Sequence, residues 1–148
     1  MCDVVGGSPE HEEMALQCLK GSLQTGWDDD YGGLRYMMDI EGKPLVDATV
    51  TADGKLWWPH TEALIALTMA YSRTRDVTWL EWLEKVHQYA YRTFVDVKIS
   101  EATVHGEWFG YCHRDGTVAR SSKGGNYKGF FHVPRALLVA IQVVEAIK

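Results

Sequence analysis

Cysteine is scarce in this sequence: its 148 residues contain only Cys2, Cys18 and Cys112. An odd number of widely separated thiols is not the pattern of a disulfide framework. It is typical of proteins that are kept in a reducing compartment. We therefore expect a cytoplasmic location.

Long apolar runs and clusters of basic residues are also missing. No apolar stretch approaches the ~20 residues that a membrane-spanning helix needs. The first residues, MCDVVGGSPEHEE, lack the charged and then apolar segments of a secretory signal. The formal net charge is −5, and the basic residues form no stripe. We therefore expect neither a membrane nor nucleic acid as a partner.

Aromatic residues are abundant instead, with six tryptophans and seven tyrosines. Several of them stand beside glycine and charged residues rather than inside apolar runs. The apolar fraction of 46% is that of a globular chain, and a chain of this length can bury one core. We therefore treat residues 1–148 as a single domain, with residues 1–25 as its first helical region.

Capping residues and apolar spacing predict four helices. Ser8 followed by Pro9 is typical of a helix start, and Pro59 and Asp76 mark two further starts. The short connection before Asp76 predicts an antiparallel pair of helices. The predicted ranges are residues 8–23, 59–74 and 76–95, and a last helix from Pro134 to near Lys148.

Two long segments, residues 24–54 and 96–131, separate these helices and are rich in glycine, aspartate and aromatic residues. The first contains two runs, LRYMM and LVDAT, that predict short strands. The second contains the turn sequence Arg114-Asp115-Gly116 between alternating residues, which predicts a β-hairpin. The order of elements indicates an all-α scaffold whose long loops carry short hairpins on one rim. Loops of this length are usually functional.

The segment WWPHTE brings Trp57, Trp58, His60 and Glu62 together at a predicted helix start. Indole faces suit the apolar C–H patches of a sugar ring, and polar side chains can hydrogen-bond its hydroxyl groups. The alternative is a packed helix start in which Glu62 stabilises the positive end of the helix dipole. The residues alone leave both interpretations open.

The segment FHVPR places His132 and Arg135 at the start of the last helix. A histidine can exchange a proton near neutral pH, and an arginine one turn further on can stabilise an oxyanion. The alternative is a capping histidine beside a surface arginine, and it stays open as well.

Three further segments give weaker signals. GEWFGYCHRDG offers Glu107, Trp108 and His113, and KGGNYKG offers Lys123, Tyr127 and Lys128. A plain hairpin and loop explains both segments more simply. GWDDDYGG resembles a calcium-binding loop only superficially, because it lacks alternating acids and a closing glutamate. We therefore expect no metal.

Taken in order, GWDDDYGGLRY, KLWWPHTEA, GEWFGYCHRDG, KGGNYKG and FHVPR resemble the C-terminal part of the N-acylglucosamine 2-epimerase family, also called renin-binding protein. The similarity runs from about Gly26 to about Leu138. It implies a partial (α/α)6 barrel of about two helical hairpins, with the site at the mouth where the long loops gather. Residues 97–105 look like a loop insertion relative to the family.

The resemblance also implies a reaction, the interconversion of N-acetylglucosamine and N-acetylmannosamine. The C2 proton leaves to form an enediolate and returns on the other face of the sugar. His132 matches one of two acid/base histidines, and Glu62 and Arg135 match site residues beside it. The expected substrate-binding residues are Trp57, Trp58, His60, Glu107, Trp108 and Lys123. No cofactor is implied, and the family allows a nucleotide effector.

The family's second acid/base histidine has no counterpart in this sequence. Two hypotheses therefore stay open: an enzyme acting on an amino sugar, and a non-catalytic fragment that binds an amino sugar or a protein. An open arc of barrel would also leave apolar flanks bare, so we expect a homodimer or another association through these flanks.

Overall fold

The computed structural model describes residues 7–45, 52–96 and 107–147. These residues form four helices and a small antiparallel sheet with the strand order β1-β2-β3. The helices are α1 (Pro9–Gly26), α2 (Trp57–Thr74), α3 (Val77–Thr93) and α4 (His132–Ile147). The strands are β1 (Lys55–Leu56), β2 (Tyr111–Cys112) and β3 (Val118–Arg120). Within these ranges, no helix has the length and apolarity that crossing a bilayer requires.

The four predicted helices are confirmed, with shifts at their ends. Asp76 caps α3, because its carboxylate accepts a hydrogen bond of 2.9 Å from the Thr78 N–H. Both α2 and α4 begin two residues before their prolines, Pro59 and Pro134. A helix tolerates proline in its first turn because the missing N–H has no intrahelical partner there. As a result, Trp57 and Trp58 lie inside the first turn of α2.

Helix α2 is the centre of the packing, because it contacts both α3 and α4. The core between these helices and the sheet includes Trp57, Leu67, Val86 and Phe94, each at most 2% exposed. This packing fixes the starts of α2 and α4 side by side.

The predicted hairpin is confirmed: β2 and β3 flank the turn at Asp115 and Gly116, where Gly116 has a φ of +87°. The structure adds β1, which pairs with β2 and leads directly into α2. The run LRYMM forms no strand ladder; isolated bridges join Trp27 to Leu34 and Met38 to Pro44 instead. The predicted strand LVDAT beyond Leu45 and the insertion at residues 97–105 lie outside the described residues.

Candidate active site

The second turn of α2 and the first turn of α4 bring together Glu62, His132 and Arg135, the three residues expected to be catalytic. Glu62 Oε1 lies 2.7 Å from His132 Nδ1. The guanidinium of Arg135 donates to the other carboxylate oxygen, Oε2. One carboxylate on α2 therefore holds two side chains that are 70 or more residues away in sequence.

The charge of Glu62 determines which ring nitrogen of His132 carries a hydrogen. Burial favours the neutral acid, but hydrogen bonds from Arg135 and His132 outweigh it and lower the pKa of Glu62. The carboxylate is therefore ionised at neutral pH and can only accept hydrogen bonds. Nδ1 of His132 must then carry the hydrogen, and in the neutral imidazole the free lone pair lies on Nε2.

A cavity of about 500 Å³ adjoins this cluster. Its wall contains six ring side chains, namely Tyr36, Trp57, Trp58, Tyr111, Tyr127 and His132. The ring centroids of Trp57 and Trp58 lie 6.1 and 6.0 Å from that of His132. The size suits a small ligand, and the wall offers flat apolar faces together with hydroxyl groups.

Two tyrosines of this wall, Tyr36 and Tyr111, were not among the predicted site residues. Tyr36 packs edge-on against Trp58 at 6.4 Å, and Tyr111 packs against Trp57 at 5.5 Å. Each lies in a segment that the sequence had singled out, but no local pattern shows that these segments meet at the start of α2.

His60 does not lie in the cavity wall, which corrects the expectation that it binds substrate. Its ring is fully buried. Nε2 accepts a hydrogen bond of 2.9 Å from the Leu34 N–H, and Nδ1 lies 2.7 Å from the Leu56 carbonyl, to which it donates. Both nitrogens are therefore occupied by the backbone, and His60 ties the 27–45 loop to α2.

Glu107, Trp108 and Lys123 also lie outside the lining of this cavity. Trp108 is 3% exposed, and its ring stacks on Phe94. Glu107 forms an ion pair of 2.9 Å with Lys128. Lys123 forms an ion pair with Asp96. In the structure these three residues therefore contact the scaffold around the site, and a direct contact with substrate stays a prediction.

The structure contains an ion network that the sequence did not predict. Its centre is Asp28, in the segment GWDDDYGG. Asp28 is fully buried and accepts from Arg114 Nε at 2.8 Å, Lys55 Nζ at 2.9 Å and Arg35 at 3.3 Å. Burial opposes ionisation, but these cations hold the pKa of Asp28 well below its usual range. The network joins the loop after α1 to β1 and to the β2–β3 turn. In the ranges that the structure describes, no group of three or more His, Cys, Asp or Glu side chains is placed to hold a metal ion.

Solved structures of sugar epimerases have a fold similar to that of this chain. One is a cellobiose 2-epimerase from Bacillus thermoamylovorans, with a TM-score of 0.72 and 20% identity over 97% of this chain and 33% of that one. Another is a cellobiose 2-epimerase from Spirochaeta thermophila, with a TM-score of 0.65 and 25% identity over 92% of this chain and 29% of that one.

The chain belongs to the N-acylglucosamine 2-epimerase family, whose model matches residues 7–136. It is 43% identical over 125 residues to the N-acylglucosamine 2-epimerase of Mus musculus. It is 42% identical over 125 residues to that of Homo sapiens. These matches cover 84% of the chain but only 28% and 27% of the two relatives, so the chain spans less than a third of their length.

Proposed function

We propose that this chain carries part of the active site of a sugar 2-epimerase that interconverts N-acetylglucosamine and N-acetylmannosamine. The observation that carries the proposal is the ionised Glu62, which orients His132 beside an aromatic cavity and holds Arg135 next to it. Family membership supports the reaction class. The proposal includes the architecture, in which α1–α4 form part of an (α/α)6 barrel.

The proposed chemistry begins with an open-chain sugar in the cavity. His132 Nε2 takes the C2 proton, and the electron pair of the C–H bond forms a C1–C2 double bond while the carbonyl oxygen takes the negative charge. Because C2 of these sugars carries nitrogen, the intermediate is an enolate rather than an enediolate. In this proposal Arg135 stabilises the oxygen that gains charge, because Glu62 holds its partly exposed guanidinium beside His132. Trp58, which is 36% exposed, supplies a flat face for the sugar.

Epimerisation also needs a second acid/base group that returns the proton to the opposite face. Within residues 7–45, 52–96 and 107–147, His132 is the only histidine in the cavity lining. The relatives are more than three times longer than the matched region, so we propose that the second group comes from sequence outside it. A nucleotide effector and a cytoplasmic location stay predictions.

Hydrogen exchange at C2 tests the proposal most directly. Purified protein is incubated with N-acetylmannosamine in D2O, and the C2 proton is followed by NMR. We expect deuterium at C2, and His132→Gln should abolish its incorporation. His113→Gln is the matched control, because His113 is exposed and lies outside the cavity lining.

The distribution of label separates the outcomes. Exchange with appearance of N-acetylglucosamine would mean that both acid/base groups are present. Exchange without the second sugar would mean that His132 works alone. No exchange by folded wild-type protein, or unchanged exchange in His132→Gln, would contradict the proposed role.

An apolar face on α4 favours a second candidate, an association role without turnover. Leu138, Ile141 and Val144 are 57%, 55% and 45% exposed. A groove of about 750 Å³ runs beside them between α2, α3 and α4. Exposed apolar side chains that adjoin one another on a helix face mark interaction sites, and we propose a second copy of the chain as the partner.

A further inference from the structure

Lys128 is a buried cation in an otherwise exposed segment. Its side chain is 2% exposed, whereas Tyr127 and Phe130 are 87% and 85% exposed. Nζ donates to Glu107 Oε1 at 2.9 Å and to the Lys123 carbonyl at 2.8 Å. Burying a lysine is costly unless its charge and hydrogen bonds are satisfied. Two contacts of this buried side chain are informative: one with the indole of Trp57 and one within the 123–128 loop.

The stem of Lys128 runs between Gly110 and the indole of Trp57. Nζ lies 5.5 Å from the centre of the Trp57 ring system. A Cβ atom at position 110 would lie 2.6 Å from Lys128 Cδ and 3.3 Å from Trp57 Cε3. The absence of a side chain at Gly110 therefore makes room for the lysine against Trp57.

Lys128 also closes its own loop. Its carbonyl accepts a hydrogen bond of 3.0 Å from the Gly125 N–H, and its ammonium reaches back to the Lys123 carbonyl. These two bonds fix residues 123–128 as one compact turn. Tyr127, next to Lys128 in sequence, lines the cavity with Trp57 and His132.

We infer that Lys128 is a positioning residue for the candidate active site. It fixes the Trp57 indole beside His132 and holds Tyr127 at the cavity wall. Glu107 acts through Lys128, because it supplies the anion that keeps the ammonium in this place. The inference rests on the proposed function for the identity of the ligand, but the placement of Trp57 can be measured without a ligand.

Lys128→Met tests the inference, since methionine keeps an unbranched apolar stem and removes the charge. Lys43→Met is the matched control, because Lys43 is 72% exposed and pairs with Glu41, which is 67% exposed. The first measurement is the indole N–H resonance of Trp57, assigned by its loss in Trp57→Phe. We expect this resonance to shift in Lys128→Met and to stay in place in Lys43→Met.

The second measurement is the affinity for N-acetylmannosamine, followed by titration of the same spectra. The Kd in Lys128→Met should rise about tenfold, as expected for the loss of a desolvated cation–π contact and the wall that it orders. Glu107→Gln should change both measurements in the same direction. Because it leaves Lys128 in the chain, it also serves if Lys128→Met does not fold.

The outcomes distinguish this inference from the proposed function. A lower melting temperature with an unchanged Trp57 resonance and unchanged affinity would reduce Lys128 to a structural residue and overturn the inference. A shifted Trp57 resonance in protein whose wild type binds no amino sugar would refute the proposed substrate and leave the positioning role intact. For Glu107→Gln, the same two outcomes would lead to the same two conclusions.

Discussion

At the scale of single residues, the surroundings of His60 keep its ring neutral. Burial lowers the pKa of His60 to about 4, against the opposing effect of the Leu56 carbonyl. In the unfolded chain the imidazole takes up a proton below about pH 6.5. The stabilising effect of the neutral ring is therefore complete above pH 6.5, and it is lost as the pH falls toward 4.

A pH series of unfolding measurements tests this behaviour. From pH 7 to pH 5 the free energy of unfolding of the wild type should fall by about 2 kcal/mol more than that of His60→Gln. Urea denaturation at the two pH values gives both numbers. The same pH dependence in both proteins would show that His60 is not the group responsible.

Asp28 is a second residue whose charge stabilises the fold around the site. Its carboxylate pairs with Arg35, Lys55 and Arg114. Asp28→Asn should lower the free energy of unfolding by about 3–5 kcal/mol, since Lys55 would stay fully buried without an anionic partner. Asp30→Asn is the control: Asp30 is 71% exposed and also pairs with Arg114. That change should cost less than about 1 kcal/mol. Equal losses in the two variants, measured in urea at pH 7, would contradict a central role for Asp28.

At the scale of elements, the loop after α1 packs on α3 through a glycine. Gly33 has a φ of +76°, and a Cβ atom there would lie 2.3 Å from the Tyr89 ring. Gly33→Ala should therefore destabilise the fold by about 2 kcal/mol or more, because the backbone is strained and the aromatic ring has to move. Gly125→Ala, where no atom lies within 4 Å, should change stability by less than about 0.5 kcal/mol. Thermal melts of the two variants provide the comparison, and similar melting temperatures would argue against close packing at Gly33.

Local sequence signals predicted where the helices begin, but not the contacts between elements. Helix starts depend on neighbouring residues, so Ser8, Asp76 and Pro134 were enough to place three of them within two residues. The ion network was not predictable, because Arg114 and Asp28 are 86 residues apart and neither has a local signal. His60 was misplaced for a related reason: its motif lies at a helix start, but only tertiary packing decides which side of the helix faces the core.

The cluster of Glu62, His132 and Arg135 was placed by the family resemblance and not by spacing. Each residue alone fits a helix cap as well as a catalytic role, and what distinguishes the two is the packing of α2 against α4. The structure brings the three side chains into contact. Tyr36 and Tyr111 were missed because one lies in the loop after α1 and the other on β2, and only tertiary contacts place them beside the start of α2.

At the scale of the whole molecule, α4 combines a strongly apolar sequence with little cover. One side packs on α2, and Ala136 is its one buried residue among those that the structure describes. The other side exposes an apolar surface that carries no charge between Arg135 and Glu145. A helix that is apolar on several sides is normally enclosed by neighbours.

If a second copy covers this face, the mass of the protein in solution depends on its concentration. Sedimentation velocity should show the apparent mass rising above 16.7 kDa as concentration increases, because association buries the α4 face. Ile141→Glu should restore the monomer, since it places a charge in the centre of the buried surface. Val118→Glu is the control, because Val118 on β3 is similarly exposed but lies outside the groove. A mass that is independent of concentration, or equally reduced by both variants, would mean that the α4 face is not the contact surface.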